Sequence, residues 1–322
     1  MPYNRISTPK FFIDAALLAR QWGMVDLSLG ISHFDTTFNL NPSNVTDVTN
    51  ATSREEKRTV KFWNRNFANS ISHCFILGHR LKEDDIQVRV EIASGTNNDT
   101  LRNYAEEPYN GWSKYIWAAD STYDYKRINV IFRKGGDNDE STAIDTKLGD
   151  ISIGWSWEAP HSPDLELTLN YSNESIKAQT TKGGHTLTNA GYNRQPIWDR
   201  RQPWSRGETE NSSNLFDNFR IYPSGRRSWN LKFSYLSEEN LFSNDPSYSE
   251  YGIFNDYGTW TIKDDFSSKL LFGTNNFQLP FIFQPNKSED EYAICRIDND
   301  TTSFEQVANN VYNISLNIVE VW

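Results

Sequence analysis

The chain has 322 residues, a formal net charge of -10 at pH 7 and a mean hydropathy of -0.68. This acidic balance argues against a general nucleic-acid binder, because binding to phosphates requires clustered Lys and Arg. The sequence contains no run of 18 apolar residues, so no transmembrane helix is predicted, and no targeting signal is recognised at its start.

Aromatic residues make up 14% of the chain, although hydrophobic residues of all kinds make up only 37%. Phe, Tyr and Trp are enriched in strands, and abundant Asn, Asp, Ser and Thr are typical of turns and exposed sheet faces. The composition therefore predicts a mainly β fold. The two cysteines, Cys74 and Cys295, are far apart in the sequence and indicate no disulfide framework.

Helices are predicted at three places. The first spans residues 8–23, where a Thr-Pro pair can start a helix, a Gly can end it, and apolar residues spaced by four, three and four form one stripe. The second begins at Ser53, which matches a capping box with Glu56. Its predicted apolar face comprises Val60, Trp63 and Phe67. A short helix or turn is predicted over Asp264–Leu271, with Asp264 as its cap.

Several strands are predicted because apolar and polar residues alternate, since a period of two places the two sets on opposite faces. The others are short runs rich in apolar residues, and most gaps between the predicted strands contain Gly, Pro, Asn or Asp. The predicted strands are Val25–Ile31, Cys74–Leu77, Ile86–Ile92, Tyr115–Ala118, Ile128–Phe132, Ile151–Trp157, Leu165–Tyr171, Ser228–Tyr235, Pro280–Gln284, Tyr292–Ile297 and Val311–Trp322. Residues 41–52 and 95–112 show no such alternation, so we expect exposed loops there.

The clearest strand is the last one, Val311–Trp322, in which the even-numbered residues from Tyr312 to Ile318 are all apolar. After Ile318 the apolar positions change to Val319 and Val321. A β-bulge, or burial of both faces by a neighbouring subunit, would explain this change.

No catalytic signature is present: the sequence lacks a GxSxG elbow, a P-loop and a Rossmann fingerprint. His73, Cys74 and His79 lack the paired spacing of a zinc site, so we expect a strand cysteine beside two surface histidines. The Asp-rich turns at residues 137–140 and 298–300 lack the Gly and Glu of a calcium loop. We predict no catalytic residue, no cofactor and no metal ligand.

One segment, residues 177–227, is unusual because it shows no periodicity. Such a stretch inside a compact domain is typical of a functional loop or of an arm ordered by a partner. Between residues 190 and 227 there are seven Arg and four acidic residues, and Trp and Arg are enriched at protein interfaces. The candidate interface residues are Arg194, Trp198, Arg200, Arg201, Trp204, Arg206, Arg226 and Arg227. There are two alternatives to a contact with a partner protein. The Trp side chains can pack on their own domain, or the segment can contact a sugar or a single-stranded nucleic acid.

Four segments near the C-terminus carry a resemblance: GRRSWNLKFSYL (225–236), LPFIFQPN (279–286), EYAICRIDND (291–300) and FEQVANNVYNISLNIVEVW (304–322). In composition and order they resemble the C-terminal part of tail-associated structural proteins of tailed bacteriophages, of the distal-tail or baseplate-hub type. The resemblance implies a β-sandwich or β-barrel with a flanking helix and long loops. We divide the chain into a β-rich N-terminal part with an opening helix (1–176), a long inserted loop or arm (177–227) and a C-terminal β-unit (228–322). The last unit is expected to complete the sheet or sheets and can form one domain with residues 1–176.

The function that the resemblance implies is structural and non-enzymatic. Such proteins assemble as rings, commonly hexameric or trimeric, which link the tail tube to the baseplate or host-recognition apparatus. The expected partners are copies of the chain and neighbouring tail proteins within the virion, with no membrane and no specific nucleic-acid partner. A neck, head–tail adaptor or capsid-associated protein is an alternative within the virion. A carbohydrate-binding or carbohydrate-cleaving β-protein is the alternative of another class, suggested by eleven Trp residues and the acidic excess.

Overall fold

A computed structural model describes residues 6–22, 37–41, 46–51, 53–61, 70–94, 97–106, 111–118, 127–135, 143–164, 168–172, 176–190, 226–242, 263–299 and 301–321. These residues form antiparallel strands with three short helical elements, which confirms the predicted mainly β fold. No helix within the described residues is long and apolar enough to cross a membrane.

The elements are as follows. Strands β1 to β9 are Lys10–Asp14, Thr46–Asn50, Glu55–Lys61, His73–His79, Ile86–Ser94, Asn97–Glu106, Gly111–Ile116, Arg127–Lys134 and Ile144–Leu148. Strands β10 to β18 are Asp150–Glu158, Thr168–Ser172, Ile176–Thr180, Thr186–Ala190, Arg226–Ser237, Phe281–Gln284, Ala293–Ile297, Phe304–Ala308 and Val311–Glu320. The helical elements are α1 (Ala15–Gln21), α2 (Glu238–Leu241) and a π-helical turn (Ser267–Leu271).

The main sheet contains ten of the described strands. Its path is β11-β14-β18-β16-β15-β1-β10-β4-β7, and β17 pairs with β18 beside this path. A second sheet has the order β3-β8-β5-β6, while β2 pairs with β9 and β12 pairs with β13. Because β1 lies between β10 and β15, strands from residues 1–176 and from residues 228–322 share the main sheet.

The central strands of the main sheet are buried on both faces. Side chains alternate along β1, so that Phe11 and Ile13 enter the larger core beside Trp155, whereas Phe12 enters a smaller core beside Phe75 on the opposite face. Burial of each such side chain contributes about 1.5–3 kcal/mol. A strand buried on both faces is apolar at successive positions and therefore shows no alternation.

The helix predicted over residues 8–23 is wrong in its first half. That half is β1, and α1 begins only at Ala15. The cap is Asp14 instead of Thr8, because the Leu17 N–H donates to Asp14 Oδ1 over 2.9 Å. Pairing with two neighbouring strands therefore outweighs the helical spacing of the apolar residues.

The change from β1 to α1 requires a glycine in the neighbouring strand. A Cβ atom on Gly154 would lie 1.8 Å from the backbone oxygen of Ile13 and 2.7 Å from the backbone nitrogen of Ala15. Real Cβ atoms do not approach backbone this closely. Gly154 thus allows the chain to pass directly over β10 as it enters the helix.

The helix predicted from Ser53 is also wrong over the described residues, which form β3 and pair with β8. Ser53 Oγ accepts the Glu55 N–H over 3.1 Å, so the apparent capping box is a local turn before a strand. Val60 is buried in the core from this strand. Trp63 and Phe67 lie outside the described residues.

Three predicted loop segments contain strands, and one predicted cap is displaced. In the predicted loop or arm 177–227, β13 and most of β12 form an antiparallel pair. Strand β2 lies within residues 41–52 and β6 within residues 95–112; both are rich in polar residues and gave no alternation. Asp265, instead of Asp264, accepts the Ser268 N–H over 2.7 Å before the π-helical turn. The predicted strand Val25–Ile31 falls outside the described residues. The other predicted strands correspond to β4, β5, β7, β8, β10, β11, β14, β15, β16 and β18.

The last strand confirms its predicted inward face, and of the two explanations offered for the change after Ile318, the β-bulge is wrong. Trp229 pairs with Ile318 and Ser228 with Val319 in one continuous register. The buried, even-numbered set continues to Glu320, whose side chain is fully buried. The apolar pattern changed after Ile318 because a buried position is occupied by a carboxylate.

Candidate interaction surface

The outer face of β14 and β18 carries polar side chains. Asn230 pairs with Asn317 and Lys232 with Ser315, and these four residues lie on the face opposite to the core residues of the same strands. Strict alternation places every second residue of both strands toward solvent. At these four positions the outer face is polar, and the side chains of Asn230, Lys232 and Ser315 are exposed.

A groove of about 410 Å³ lies on this outer face, between the two strands and the turn that follows β16. Asn299 Oδ1 accepts the backbone N–H of Asn317 over 2.7 Å, and Asn299 Nδ2 donates to the Ser315 carbonyl over 2.9 Å. The turn is thereby fixed on the sheet. The polar side chains that line the groove belong to Asn230, Lys232, Asp298, Asn299, Thr301, Ser315 and Asn317. Amide, hydroxyl, ammonium and carboxylate groups can all hydrogen-bond a polar ligand.

Two β-bulges lie beside each other at the far end of this face. In β14 the register shifts between Phe233 and Leu236, and in β17 it shifts at Val307. Tyr235, in the first bulge, has a φ of 62° and is 79% exposed, while Val307 is 44% exposed. A positive φ is rare for a residue with a large side chain. Each bulge thus turns an apolar side chain toward solvent.

Asn313 of β18 connects the two bulged strands. Its Oδ1 accepts the Tyr235 N–H over 3.1 Å, and its Nδ2 donates to Glu305 Oε2 over 3.4 Å. The bulge of β14 is therefore held by a side chain of the central strand. We call Tyr235, Val307, Glu305 and Asn313 the bulge patch.

The opposite end of β14 is buried and charged. Arg227 Nε donates to Glu320 Oε2 over 3.0 Å, Nη2 donates to Oε1 over 3.3 Å, and the guanidinium also pairs with Glu291. The guanidinium lies 5.0 Å from the centre of the Trp229 ring. Burial raises the pKa of Glu320 to about 7, and the adjacent guanidinium opposes this rise. The Arg227 guanidinium thus forms its ion pairs with carboxylates of its own chain.

The candidate interface residues predicted from the sequence are only partly described. Arg194, Trp198, Arg200, Arg201, Trp204 and Arg206 lie outside the described residues, so the interface role stays a prediction for them. Arg226 is the first residue of β14, and Arg227 is 5% exposed in the ion cluster. Burial of Arg227 removes its guanidinium from the outer surface of this chain.

The sequence did not indicate Tyr235 as a surface residue. Trp229, Leu231, Phe233 and Tyr235 alternate, which predicts that all four face the core. The bulge instead buries Leu236 and exposes Tyr235. The available signal was the pair of successive apolar residues at 235 and 236, which interrupts a period of two.

The two histidines of β4 are buried, contrary to the predicted surface position. The Leu81 N–H donates to His79 Nδ1 over 3.3 Å, so the proton lies on Nε2, which is 2.8 Å from Ser113 Oγ. The His73 ring contacts Phe12 and Phe75 edge-on, and neither of its nitrogens has a hydrogen-bond partner. Burial lowers the pKa of each to about 3, so both are neutral. Across the described residues, no three or more His, Cys, Asp or Glu side chains converge to hold a metal ion.

The described strands define the class of the protein as mainly antiparallel β. No protein-family model matches the chain, and no curated protein matches it significantly.

Proposed function

We propose that this protein is a non-enzymatic structural component of a phage tail, which assembles as a hexameric or trimeric ring linking the tail tube to the baseplate or host-recognition apparatus. The single observation that supports this proposal best is Tyr235, an aromatic side chain turned into solvent from a strained backbone position. Strain of this kind costs about 1–3 kcal/mol and is concentrated at functional positions. Tyr is also among the residues that anchor interfaces.

The neighbouring strand supports the same proposal. Among the described strands, β17 pairs only with β18, and its residues from Glu305 to Ala308 are exposed. A strand edge with unpaired N–H and C=O groups can pair with a strand of another chain. In the proposed ring, the β17 edge and the bulge patch contact the adjacent subunit.

The assembly of the full chain tests this proposal. Native mass spectrometry and negative-stain microscopy should show closed rings whose mass is a multiple of the 37.3 kDa chain. A Tyr235→Ser/Val307→Ser variant should remain a folded monomer, since it removes both exposed apolar anchors. Ile116→Ser is the matched control, because Ile116 is 45% exposed on β7, at the other end of the sheet path. It should assemble like the wild type.

Two outcomes would count against the proposal. A wild-type chain that stays monomeric at high concentration and does not bind other tail proteins would refute the structural role. Rings that form equally well from the double variant would instead show that the bulge patch is not the interface.

Carbohydrate binding is the second candidate, and the polar groove on the outer face favours it. The described residues that line the groove include no aromatic ring on which a sugar could stack. Trp112, Trp155, Trp157 and Trp229 are all buried, so these four contribute to packing. Glycan-array binding that is lost in Asn230→Ala/Lys232→Ala but retained in Lys147→Ala would support a lectin. Absence of binding by the wild type would exclude the groove as a glycan site.

A further inference from the structure

The outer face of the second sheet is rich in basic side chains. The inner face of β3, β8 and β5 carries apolar side chains into the larger core, so the alternate residues of these strands project from the outer face. The basic residues on this outer face, which we call the basic face, are Lys57, Lys61, Arg89, Arg127 and Arg133. They lie together in a chain whose net charge is -10.

The carboxylates that these three strands place on the same face do not balance the basic residues. Glu91 forms an ion pair with Arg89 over 2.5 Å and accepts a hydrogen bond from Asn129 Nδ2 over 3.4 Å. Glu55 accepts the hydroxyl of Tyr104 over 2.9 Å. Both carboxylates thus have partners within the sheet, and two acidic groups face five basic ones.

Lys57 and Arg127 carry the excess positive charge. Lys57 is exposed and Arg127 is half-buried, and Arg127 Nε has no hydrogen-bond partner. Burial and then the Arg127 charge lower the pKa of Lys57, whereas the Glu91 charge opposes this shift, so the two cations are close enough to repel each other. Cations held together in this way are stabilised by a partner of opposite charge.

A ring of three or six copies needs two different contact patches on each subunit, because only a twofold contact pairs a patch with itself. The bulge patch is one of them, at the β14–β18 end of the main-sheet path. The second sheet lies at the other end, where the guanidinium of Arg102 in β6 lies 4.0 Å from the centre of the Tyr115 ring in β7. This placement suits a head-to-tail contact between copies.

The surface around the bulge patch has the opposite charge. Glu305 in β17 and Glu239 in α2 are exposed, and Glu238 is half-buried. The Glu238 N–H donates to a carbonyl of the turn between β17 and β18, which places the start of α2 beside this patch. Residues 233–242 and 301–312 contain no Lys or Arg. The acidic groups of this surface are therefore available to a basic partner.

We propose that the basic face docks on the bulge patch and the acidic start of α2 of a second copy of this chain, and that this contact repeats around the ring. The inference rests on the proposed tail function and names the surface that the bulge patch contacts. Opposite charges across an interface set its register and exclude wrong partners. An exposed aromatic ring such as that of Tyr235 can also stack on a Lys or Arg side chain.

Charge reversal in the full-length protein tests the inference. Lys57→Glu/Arg127→Glu and, separately, Glu239→Lys/Glu305→Lys should each stay monomeric in native mass spectrometry where the wild type forms rings, with circular dichroism showing that both variants are folded. The quadruple variant has complementary charges again and should recover the rings. An equimolar mixture of the two double variants should also associate, because each supplies the patch that the other has reversed.

Two controls separate this contact from a general effect of charge. Lys147→Glu/Lys287→Glu changes the net charge by the same amount outside both patches and should assemble like the wild type. The two lysines pair at the surface with Asp47 and Glu158, and such pairs contribute little to stability. Raising NaCl from about 0.05 to about 0.5 M should weaken wild-type assembly at least about tenfold, because salt screens exposed charges.

The possible failures can be told apart. Rings that form normally from Lys57→Glu/Arg127→Glu would overturn the inference and leave the tail function standing. A folded quadruple variant that stays monomeric would show that the basic face does not meet the bulge patch. DNA binding by the wild type that is lost in Lys57→Glu/Arg127→Glu would assign the basic face to a nucleic acid instead. A wild-type chain that forms no rings would refute the tail function itself.

Discussion

The substitution Arg227→Met leaves the Glu320 carboxylate fully buried without the guanidinium that pairs with it. Glu320 loses two charge-assisted hydrogen bonds, at 3.0 and 3.3 Å, and keeps only the backbone N–H of residue 227 at 3.2 Å. Removal of one partner from a buried ion pair costs about 3–5 kcal/mol. Total stabilities are about 5–15 kcal/mol, so we expect a folded variant with greatly reduced stability.

A double-mutant cycle distinguishes the free energy of the ion pair from the effect of the volume that the two side chains fill. Arg227→Met/Glu320→Leu replaces both charges by apolar groups of similar length, and such replacements are often neutral or stabilising. We therefore expect the double variant to recover most of the loss. Glu291→Gln is the control, because the Glu291 side chain is 27% exposed and its pair with Arg227 should contribute at most about 1 kcal/mol.

Urea unfolding followed by Trp fluorescence measures these differences, and Trp229 lies against the substituted side chain. The slope of the transition should be unchanged, because the surface exposed on unfolding is the same. A loss below 1 kcal/mol in Arg227→Met, together with a failure to form rings, would refute this reasoning. Such a result would assign Arg227 to the contact between subunits, as the sequence first suggested.

Three further predictions concern other parts of the fold. Burial lowers the pKa values of His73 and His79 from 6.5 to about 3, so both stay neutral in the folded protein where the unfolded chain takes up protons. The stability of the fold should therefore be fully present above pH 6.5 and should fall as the pH is lowered below it. At pH 5, protonation of each histidine in the unfolded chain should lower the free energy of unfolding by about 2 kcal/mol. Urea titrations at about pH 7.5 and about pH 5 should therefore show a smaller loss of stability for His73→Leu than for the wild type. An equal loss in the two proteins would contradict this. Gly154→Ala should lower stability by about 3 kcal/mol or prevent folding, because its Cβ meets backbone, whereas Gly183→Ala, with no atom closer than 3.8 Å, should change it little. Asn313→Ala should cost about 1 kcal/mol by freeing the Tyr235 N–H, and unchanged hydrogen exchange at Tyr235 would argue against this role.

The strands with clear alternation were predictable because each has one face in the core. In β18, Ile314, Leu316 and Ile318 are buried as expected, since apolar character and burial coincide there. At Glu320 a buried position is not apolar, because the charge of Arg227 compensates that of the buried carboxylate. Sequence patterns report polarity, and they cannot reveal a partner that lies about ninety residues away.

The predicted helices failed for a different reason. Residues around Phe11 and around Ser53 carry genuine local helix signals, but strand pairing over long sequence distances overrides them. The bulge patch was missed because a bulge depends on register with the partner strand, which one strand's sequence does not define.

The position of β1 in the main sheet has a consequence for biosynthesis. This strand, at residues 10–14, pairs on one edge with β10 and on the other with β15, which ends at residue 284. During translation its second edge stays unpaired, and the aromatic side chains around Phe11 stay partly uncovered, until the last strands leave the ribosome. Contacts of such long range form slowly, and open edges of this kind favour aggregation. Chaperone binding to the nascent chain should therefore persist until the C-terminal strands are synthesised, because the first strand cannot close its core without them.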